Sequence, residues 1–185
     1  TGATSVTLAA TDTVWSVTTA DLATALTAGV RLAGTLTVTG IADSDETAAL
    51  TAYTSAITGA TSVTLAATDT VWSVTAANLT TALAAGVRLA GTLTVTGIEN
   101  GDETAALTAF TATTTGATSV TLTADGAWSV TGAALTTALA DGVFLAGTLT
   151  VTDIADSNET AALTAFTATK TGATSVTLTA SDTNW

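Results

Sequence analysis

The sequence predicts an α/β fold, a repeat solenoid in which parallel strands alternate with short helices that cover one face of the sheet. The main observation is an internal repeat. Thr-Gly-Ala-Thr-Ser-Val-Thr-Leu begins at Thr1, Thr58, Thr115 and Thr171, with periods of 57, 57 and 56 residues, and a fixed period of this size is typical of solenoids and module arrays. In addition, Thr alternates with apolar residues in Gly34–Gly40, as in a strand with one apolar face. Capped, helically spaced stretches lie between such strands.

The repeat divides the chain into three copies and part of a fourth, which we expect to form one continuous solenoid. Copies one and two are identical at 46 of 57 positions, and copy three lacks one residue between Leu122 and Trp128. This likeness indicates duplication without a distinct site in any one copy. The copies are residues 1–57, 58–114 and 115–170, and the partial copy is residues 171–185.

Each copy contains two predicted strands, strand A and strand B. In copy one, strand A is Thr4–Ala9, a turn follows at Ala10–Thr13, and Val14–Val17 is a short extended piece. Strand B is Thr35–Thr39. The stretch around strand B recurs in Gly91–Gly97 and in Gly147–Thr152, where Asp153 replaces the final glycine.

The alternation predicts different environments for the two faces of these strands. When a parallel sheet is covered on both sides, its strands have continuous apolar sequences. Here Thr or Ser alternates with apolar residues instead. We therefore expect one face beneath the helices and the other toward solvent or a neighbouring chain. The apolar face carries Val6, Leu8, Leu36 and Val38, and the opposite face carries Ser5, Thr7, Thr35, Thr37 and Thr39.

Helix A is predicted from its start and stop signals. Thr18 is the expected N-cap, Asp21 follows three residues later, Leu22 and Leu26 begin the apolar stripe, and Gly29 is the expected C′ glycine. Helix B is predicted to follow a second cap and to end at a glycine. The predicted cap pairs are Asp43 with Glu46, Asn100 with Glu103 and Asp156 with Glu159, and the glycine in copy one is Gly59.

The connections predict parallel strands. Successive strand–helix units of 28 to 29 residues have no hairpin turn between them, so right-handed crossovers are expected. Two alternatives stay open: a string of small α/β modules that fold separately, and a β-solenoid without helices. A 57-residue module buries little surface, and this chain has no Cys to staple it.

The composition argues against several classes of protein. The 185 residues include 50 Thr, no Cys, His, Met or Pro, and three basic against fifteen acidic residues, for a net charge of −12. An acidic chain of this kind is a poor partner for nucleic acid or an anionic membrane surface. The uncharged run Thr47–Thr68 is long enough to span a bilayer, but its hydroxyls and Gly59 disfavour insertion. No secretory signal is visible, and the lack of Met predicts a processed chain or a piece of a longer one.

One order of segments resembles a known group of repeats. Thr-Val-Trp-Ser-Val-Thr-Ala-Ala-Asn-Leu at Thr70–Leu79, then a Leu/Ala helix, then Gly-Thr-Leu-Thr-Val-Thr, is similar to the Thr/Ala-rich tandem repeats of very large secreted bacterial surface proteins, including adhesin-like and surface-layer proteins. The likeness covers the whole chain through pattern and composition. The calcium-binding Gly-Gly-X-Gly-X-Asp nonapeptide often found in such proteins is absent. The resemblance implies an extracellular or cell-surface structural or adhesive role.

Three acidic clusters are candidate calcium sites. Three carboxylates within one turn could hold a Ca²⁺ ion. The alternative is that these acids cap helices and interact with the helix dipole without any metal. No EF-hand spacing exists and the acids shift between copies, which favours capping. The clusters are Asp43, Asp45 and Glu46; Glu99, Asp102 and Glu103; and Asp153, Asp156 and Glu159.

Repeated Trp and Thr side chains are the other candidates for binding. A repeated Trp could stack on sugars, although beside a strand it is more often part of the core. Regular Thr rows resemble ice-binding faces, although Thr also simply favours strands. The residues are Trp15, Trp72, Trp128 and Trp185, and Thr35, Thr37, Thr39, Thr92, Thr94, Thr96, Thr148, Thr150 and Thr152.

No catalytic motif is present. The chain has no His or Cys nucleophile or base and no Gly-rich phosphate loop. We therefore predict no enzyme activity and no cofactor. The predicted function is an extracellular structural repeat protein, a segment or subunit of a bacterial surface filament, surface layer or adhesin stalk. A binding module for carbohydrate, ice or calcium is the alternative. Uncharged edge strands predict end-to-end or lateral self-association, and a surface glycan is an alternative partner.

Overall fold

The computed structural model describes residues 5–182, apart from the side chains of Asp12 and Thr13. It is an α/β structure with mainly parallel strands, which confirms the predicted class. The strands are β1 (Val6–Thr18), β2 (Val30–Ile41), β3 (Ser62–Thr75), β4 (Val87–Ile98), β5 (Ser119–Ala124), β6 (Trp128–Thr131), β7 (Val143–Ala146), β8 (Thr148–Ile154) and β9 (Ser175–Ala180). The helices are α1 (Thr19–Thr27), α2 (Glu46–Ala52), α3 (Ser55–Thr58), α4 (Ala76–Ala84), α5 (Glu103–Ala109), α6 (Ala112–Thr115), α7 (Gly132–Ala140), α8 (Glu159–Ala165) and α9 (Ala168–Thr171), with 3-10 turns at Asp43–Asp45 and Asp156–Asn158.

The chain forms two compact units. The first contains the residues up to Leu93 together with Thr115–Ala117, and the second contains Thr94–Thr114 and the residues from Thr118 onward. The division therefore lies within β4 and does not coincide with a boundary between sequence copies.

In the first unit, β2 lies between β1 and β3, and all three strands are parallel. Thr35 of β2 faces Val14 of β1 on one edge and Ser62 of β3 on the other. The start of β4 follows β3 in the sheet. Within β4, Gly91 has a φ of 109°, and a Cβ there would collide with the carbonyl oxygen of Thr70. Glycine is therefore required at this position.

The second unit repeats this pattern. β8 lies between β6 and β9 in one parallel sheet, while β5 pairs in parallel with β7. Leu149 of β8 faces Trp128 on one edge and Val176 on the other. A bend at residues 125–126 separates β5 from β6, in the segment where copy three is one residue shorter.

The strands differ from the predicted boundaries. The predicted turn at Ala10–Thr13 is wrong, because β1 continues through it with a register shift between Ala9 and Val14. Strand B begins directly after Gly29, at Val30, and is longer than predicted. The parallel partner β1 explains this extension. Val6–Ala9 pairs with Val30–Ala33 and provides hydrogen-bond partners for the backbone N–H and C=O groups of this part of β2.

The predicted ends of helix A are confirmed, and the start of helix B is corrected. The Thr18 hydroxyl accepts a hydrogen bond from the Asp21 N–H at 3.2 Å, and Gly29 has a φ of 79°. Helix B is two helices, because Thr54 caps α3 as a separate element. α2 begins at Glu46 after a 3-10 turn, so Asp43 is not its N-cap. No helix within residues 5–182 is long and apolar enough to cross a bilayer.

Burial follows the predicted alternation with one exception. Leu36 and Val38 are fully buried, and the Thr residues between and beside them are half-buried or exposed. Val6 and Leu8 were predicted to lie beneath a helix, but they are 46% and 42% exposed. In copy two the equivalent strand β3 contacts α2, the helix that precedes it in the chain. In the described part of the chain no helix precedes β1, so its apolar face lacks that cover.

Candidate functional site

The acidic residues lie at the start of helix B in each copy, but they do not act as the predicted caps. Asp43 and Asp45 are exposed in the 3-10 turn, and Glu46 is the first residue of α2. Asp45 occupies the N-cap position, yet its side chain makes no capping hydrogen bond. The first turn of α2 is therefore not stabilised by the capping box that the sequence predicted.

Glu46 instead joins α2 to the following strand. Its side chain is 4% exposed, and Oε2 accepts a hydrogen bond from the backbone N–H of Ser73 at 2.9 Å. Burial raises the pKa of Glu46, and the charges of Asp43 and Asp69 raise it further, against the opposing effect of the Ser73 hydrogen bond. The carboxylate thus satisfies a backbone donor of β3, which is a structural task.

In copy two the glutamate at the start of helix B again binds the backbone. Glu103 is 8% exposed, and its Oε2 accepts a hydrogen bond from the Gly101 N–H at 2.7 Å. Glu99 and Asp102 are exposed, and Asp102 provides no side-chain cap to α5. The structure therefore places these three predicted residues near one turn without directing their carboxylates at a common point.

Copy three brings three carboxylates together. Among the described side chains, Asp156, Glu159 and Asp182 each offer an oxygen, and these oxygens lie within 4.8 Å of one another. Oε1 of Glu159 is buried and has no hydrogen-bond partner. Oxygen ligands in this number suit a divalent cation such as Ca²⁺. Asp153 is not in the group, because it takes the place of a glycine at the end of strand B, with a φ of 57°.

Sequence reasoning missed Asp182, which comes from the segment after β9. The equivalent residue in copy two is Asp69, whose charge acts on the pKa of Glu46. Strand A of one copy pairs in parallel with strand B of the copy before it. Asp69 and Asp182 therefore lie near the start of the helix B that follows that strand B. The signal was available as a recurrent Asp 23 residues after Glu46 and Glu159.

The recurrent Trp side chains belong to the core. The indole N–H of Trp15, Trp72 and Trp128 donates to the carbonyl of Ala33, Ala90 and Ala146 respectively, each at 2.9 Å. Trp72 and Trp128 have no exposed surface, and Trp15 is half-buried. The rings of Trp72 and Trp128 are therefore not available to stack on a sugar, whereas the Trp15 ring is partly accessible. Trp185 lies outside the described residues.

The Thr rows run across neighbouring strands. Thr37 lies between Ser16 of β1 and Thr64 of β3, and Thr150 lies between Ser129 and Thr177 in the second unit. The nearest cross-strand hydroxyl groups to a Thr of strand B thus belong to strand A residues, which lie one inter-strand spacing away. Several hydroxyls in strand B are already used by the backbone, as in the hydrogen bonds of Thr39 to Val17 and of Thr152 to Val130. Of the predicted row members, Thr35, Thr92 and Thr148 are exposed, and Thr37, Thr39, Thr94, Thr96, Thr150 and Thr152 are half-buried.

A shallow recess recurs at the end of strand B. In the first unit it has a volume of about 350 Å³, and in the second unit it has a volume of about 330 Å³. Equivalent residues line both recesses, and most of them are Ala and other small side chains. The polar side chains in the lining are few: Thr19 and Asp45 in the first unit, and Thr136, Asp153 and Asn158 in the second. The shared lining pairs include Gly40 with Asp153, Ile41 with Ile154, Ala49 with Ala162, and Tyr53 with Phe166.

Comparisons of the chain with protein-family models, with curated proteins and with solved structures returned no match.

Proposed function

We propose that the chain is a non-catalytic structural repeat protein that serves as a segment or subunit of an extracellular filament, surface layer or adhesin stalk. The observation that carries this proposal is the repetition of one packing unit. The Trp–Ala hydrogen bond recurs with the same length in three copies, while the acidic turns differ between copies. Duplication has therefore kept the residues that hold the two strands of each copy together and has varied the polar surface.

Strand pairing supports a continuous solenoid as the finer architecture. In the first unit β2 pairs with the strand before it and the strand after it, and β8 does the same in the second unit. An array built this way grows by adding copies, since each copy contacts its neighbours in sequence. An array of this kind suits a spacer or stalk, because its length increases with each added copy and every copy uses the same interface.

The test uses arrays of increasing length. Residues 1–170 can be joined in series, since residues 171–185 restart the repeat. A structural solenoid should give a maximum dimension in X-ray scattering that increases by a constant step per copy. Proteolysis should show no cleavable linker between copies. Separately folded modules on flexible linkers would instead extend with roughly the square root of copy number, and that result would reject the solenoid.

A calcium-binding function is the second candidate, supported by the group of Asp156, Glu159 and Asp182. Oxygens of the three carboxylates lie within 4.8 Å of one another, and a divalent cation would offset their mutual repulsion. Isothermal titration with CaCl₂ separates the two functions. Saturable binding that Asp182→Asn abolishes would favour the binding module, and the absence of heat would leave the acids as structural groups.

A further inference from the structure

The turn before α5 contains the pair Asn100-Gly101, which occurs once in the sequence. Both residues are exposed, and Gly101 has a φ of 101°, a backbone conformation that favours glycine. A Cβ added to Gly101 would meet no atom within 4 Å, so the space beside this residue is open. Glycine is the least hindered residue that can follow an Asn, and its backbone nitrogen is therefore well placed to react with the Asn side chain.

Glu103 binds the backbone nitrogen of this glycine. Its Oε2 accepts a hydrogen bond from the Gly101 N–H at 2.7 Å, and its side chain is 8% exposed. The equivalent Glu46 of copy one instead binds the N–H of Ser73 in the following strand. Both glutamates begin the same helical sequence, Glu-Thr-Ala-Ala-Leu-Thr-Ala. Copy two thus places a carboxylate on the backbone nitrogen that follows an Asn.

The side chain of Asn100 lies against the turn between β5 and β6. A Cβ added to Gly126 of that turn would be 2.7 Å from Oδ1 and 3.4 Å from Cγ and Nδ2 of Asn100. Glycine at this point therefore leaves room for the amide, and both residues belong to the second unit, as Glu103 does. The equivalents of Asn100 are Asp43 and Asp156, which have no amide nitrogen to lose.

We propose that Asn100-Gly101 is a self-modifying site at which Glu103 acts as the general base. Oε2 of Glu103 takes the proton from the Gly101 nitrogen as this nitrogen attacks Cγ of Asn100. The new C–N bond closes a succinimide ring, and the side-chain nitrogen leaves as ammonia with the transferred proton. Water then opens the ring at either carbonyl and gives aspartate or isoaspartate. The net reaction consumes water and releases ammonia, without an oxidant, a reductant or a cofactor.

The position of Glu103 matters because a neutral amide nitrogen is a poor nucleophile, so the reaction depends on removal of its proton. A general base must lie within hydrogen-bond reach of the proton that it takes, and the 2.7 Å contact meets this condition. Unfolding breaks the contact. The folded chain should therefore convert Asn100 faster than the unfolded chain does.

The two products differ in their effect on the turn. Either product adds a negative charge to a chain whose net charge is −12. The aspartate product gives copy two the acid that copies one and three carry at this point. The isoaspartate product inserts a backbone carbon before Gly101 and should displace its N–H from Glu103. This modification goes beyond the proposed structural function and does not depend on it.

Peptide mapping by mass spectrometry measures the conversion. The folded chain and the chain unfolded in guanidinium chloride are incubated at the same pH, and the fraction of Asn100 converted is followed over time. We expect faster conversion in the folded chain. Asn78 and Asn158, which precede Leu and Glu, are internal controls and should stay unchanged. If Asn100 converts no faster in the folded chain than in the unfolded one, the proposal is overturned.

Glu103→Gln tests the base itself. Glutamine can still accept the Gly101 N–H, but it cannot take up the proton, so conversion in the folded chain should slow about a hundredfold, the lower end of what a positioned base contributes. Glu159→Gln, the same change in copy three, is the matched control and should leave the rate at Asn100 unchanged.

Circular dichroism shows whether the Glu103→Gln chain is folded. A folded variant that converts Asn100 at the wild-type rate would reject Glu103 as the base. Equal slowing of conversion in the folded and unfolded variant would reject it too, because that result would reflect the local sequence and not the folded contact. If the variant does not fold, the comparison of folded and unfolded wild type still decides the question.

Discussion

Leu8 and Leu65 occupy the same position in identical strand sequences, yet their exposed fractions are 42% and 0%. Replacing either residue with Ala removes the same atoms from two environments. For Leu65→Ala, three buried carbon groups at about 0.8 kcal/mol each give about 2.4 kcal/mol, and the cavity raises the expected loss of unfolding free energy to about 3–5 kcal/mol. For Leu8→Ala, a little over half of that transfer energy is at stake and no closed cavity forms, so we expect a loss of about 1–1.5 kcal/mol.

Urea unfolding of each variant, followed by Trp fluorescence at low protein concentration, measures this difference. Both residues belong to the first unit, so they report on the same transition. The matched controls are Thr7→Ala and Thr64→Ala on the opposite face, which should differ from each other by no more than about 1 kcal/mol. Equal losses for Leu8→Ala and Leu65→Ala would refute the argument that α2 buries β3 and that β1 lacks this cover.

Three further predictions follow from the same structure. Leu36→Asp should unfold the first unit in circular dichroism because it buries an uncompensated charge, whereas Thr37→Asp, at a half-buried position, should keep most of the folded signal; equal damage would contradict the alternation. Because folding raises the pKa of Glu46, this residue's stabilising contribution is fully present below its ordinary pKa and is lost as pH rises through the raised value. Glu46→Gln should therefore gain stability relative to wild type as pH increases toward neutrality, and a pH-independent difference would refute the burial argument. EDTA should leave the melting temperature nearly unchanged if the acids are structural, whereas a rise of several degrees with CaCl₂ that Asp182→Asn removes would establish the calcium function.

The local signals in the sequence predicted much of the secondary structure. Thr18 and Gly29 mark the ends of helix A because capping hydrogen bonds and left-handed backbone depend on neighbours only a few residues away. The alternation of Leu36, Thr37 and Val38 likewise predicted which side chains are buried. Predictions failed where a partner strand decides the outcome. The segment Ala10–Thr13 reads as a turn, yet it continues β1.

The candidate site shows the same division. The acids at the start of helix B were visible in the sequence, but Glu46 binds Ser73, which is 27 residues later in the chain, and Glu159 lies beside Asp182, which also comes from the following strand A segment. Parallel pairing brings Ser73 to Glu46 and Asp182 to Glu159. No spacing within one turn can reveal such contacts, because they are set by the register between strand B and the following strand A.

The sequence by itself determined the period, the parallel α/β class and the faces of each strand, because these properties depend on local spacing that is repeated in every copy. The tertiary structure decided which copy of an identical segment is buried. Leu50, Leu107 and Leu163 have the same local sequence and exposures of 0%, 1% and 61%. Burial is a property of the surrounding elements, and only the first two of these residues lie on helices that pack against a later helix A, α4 or α7.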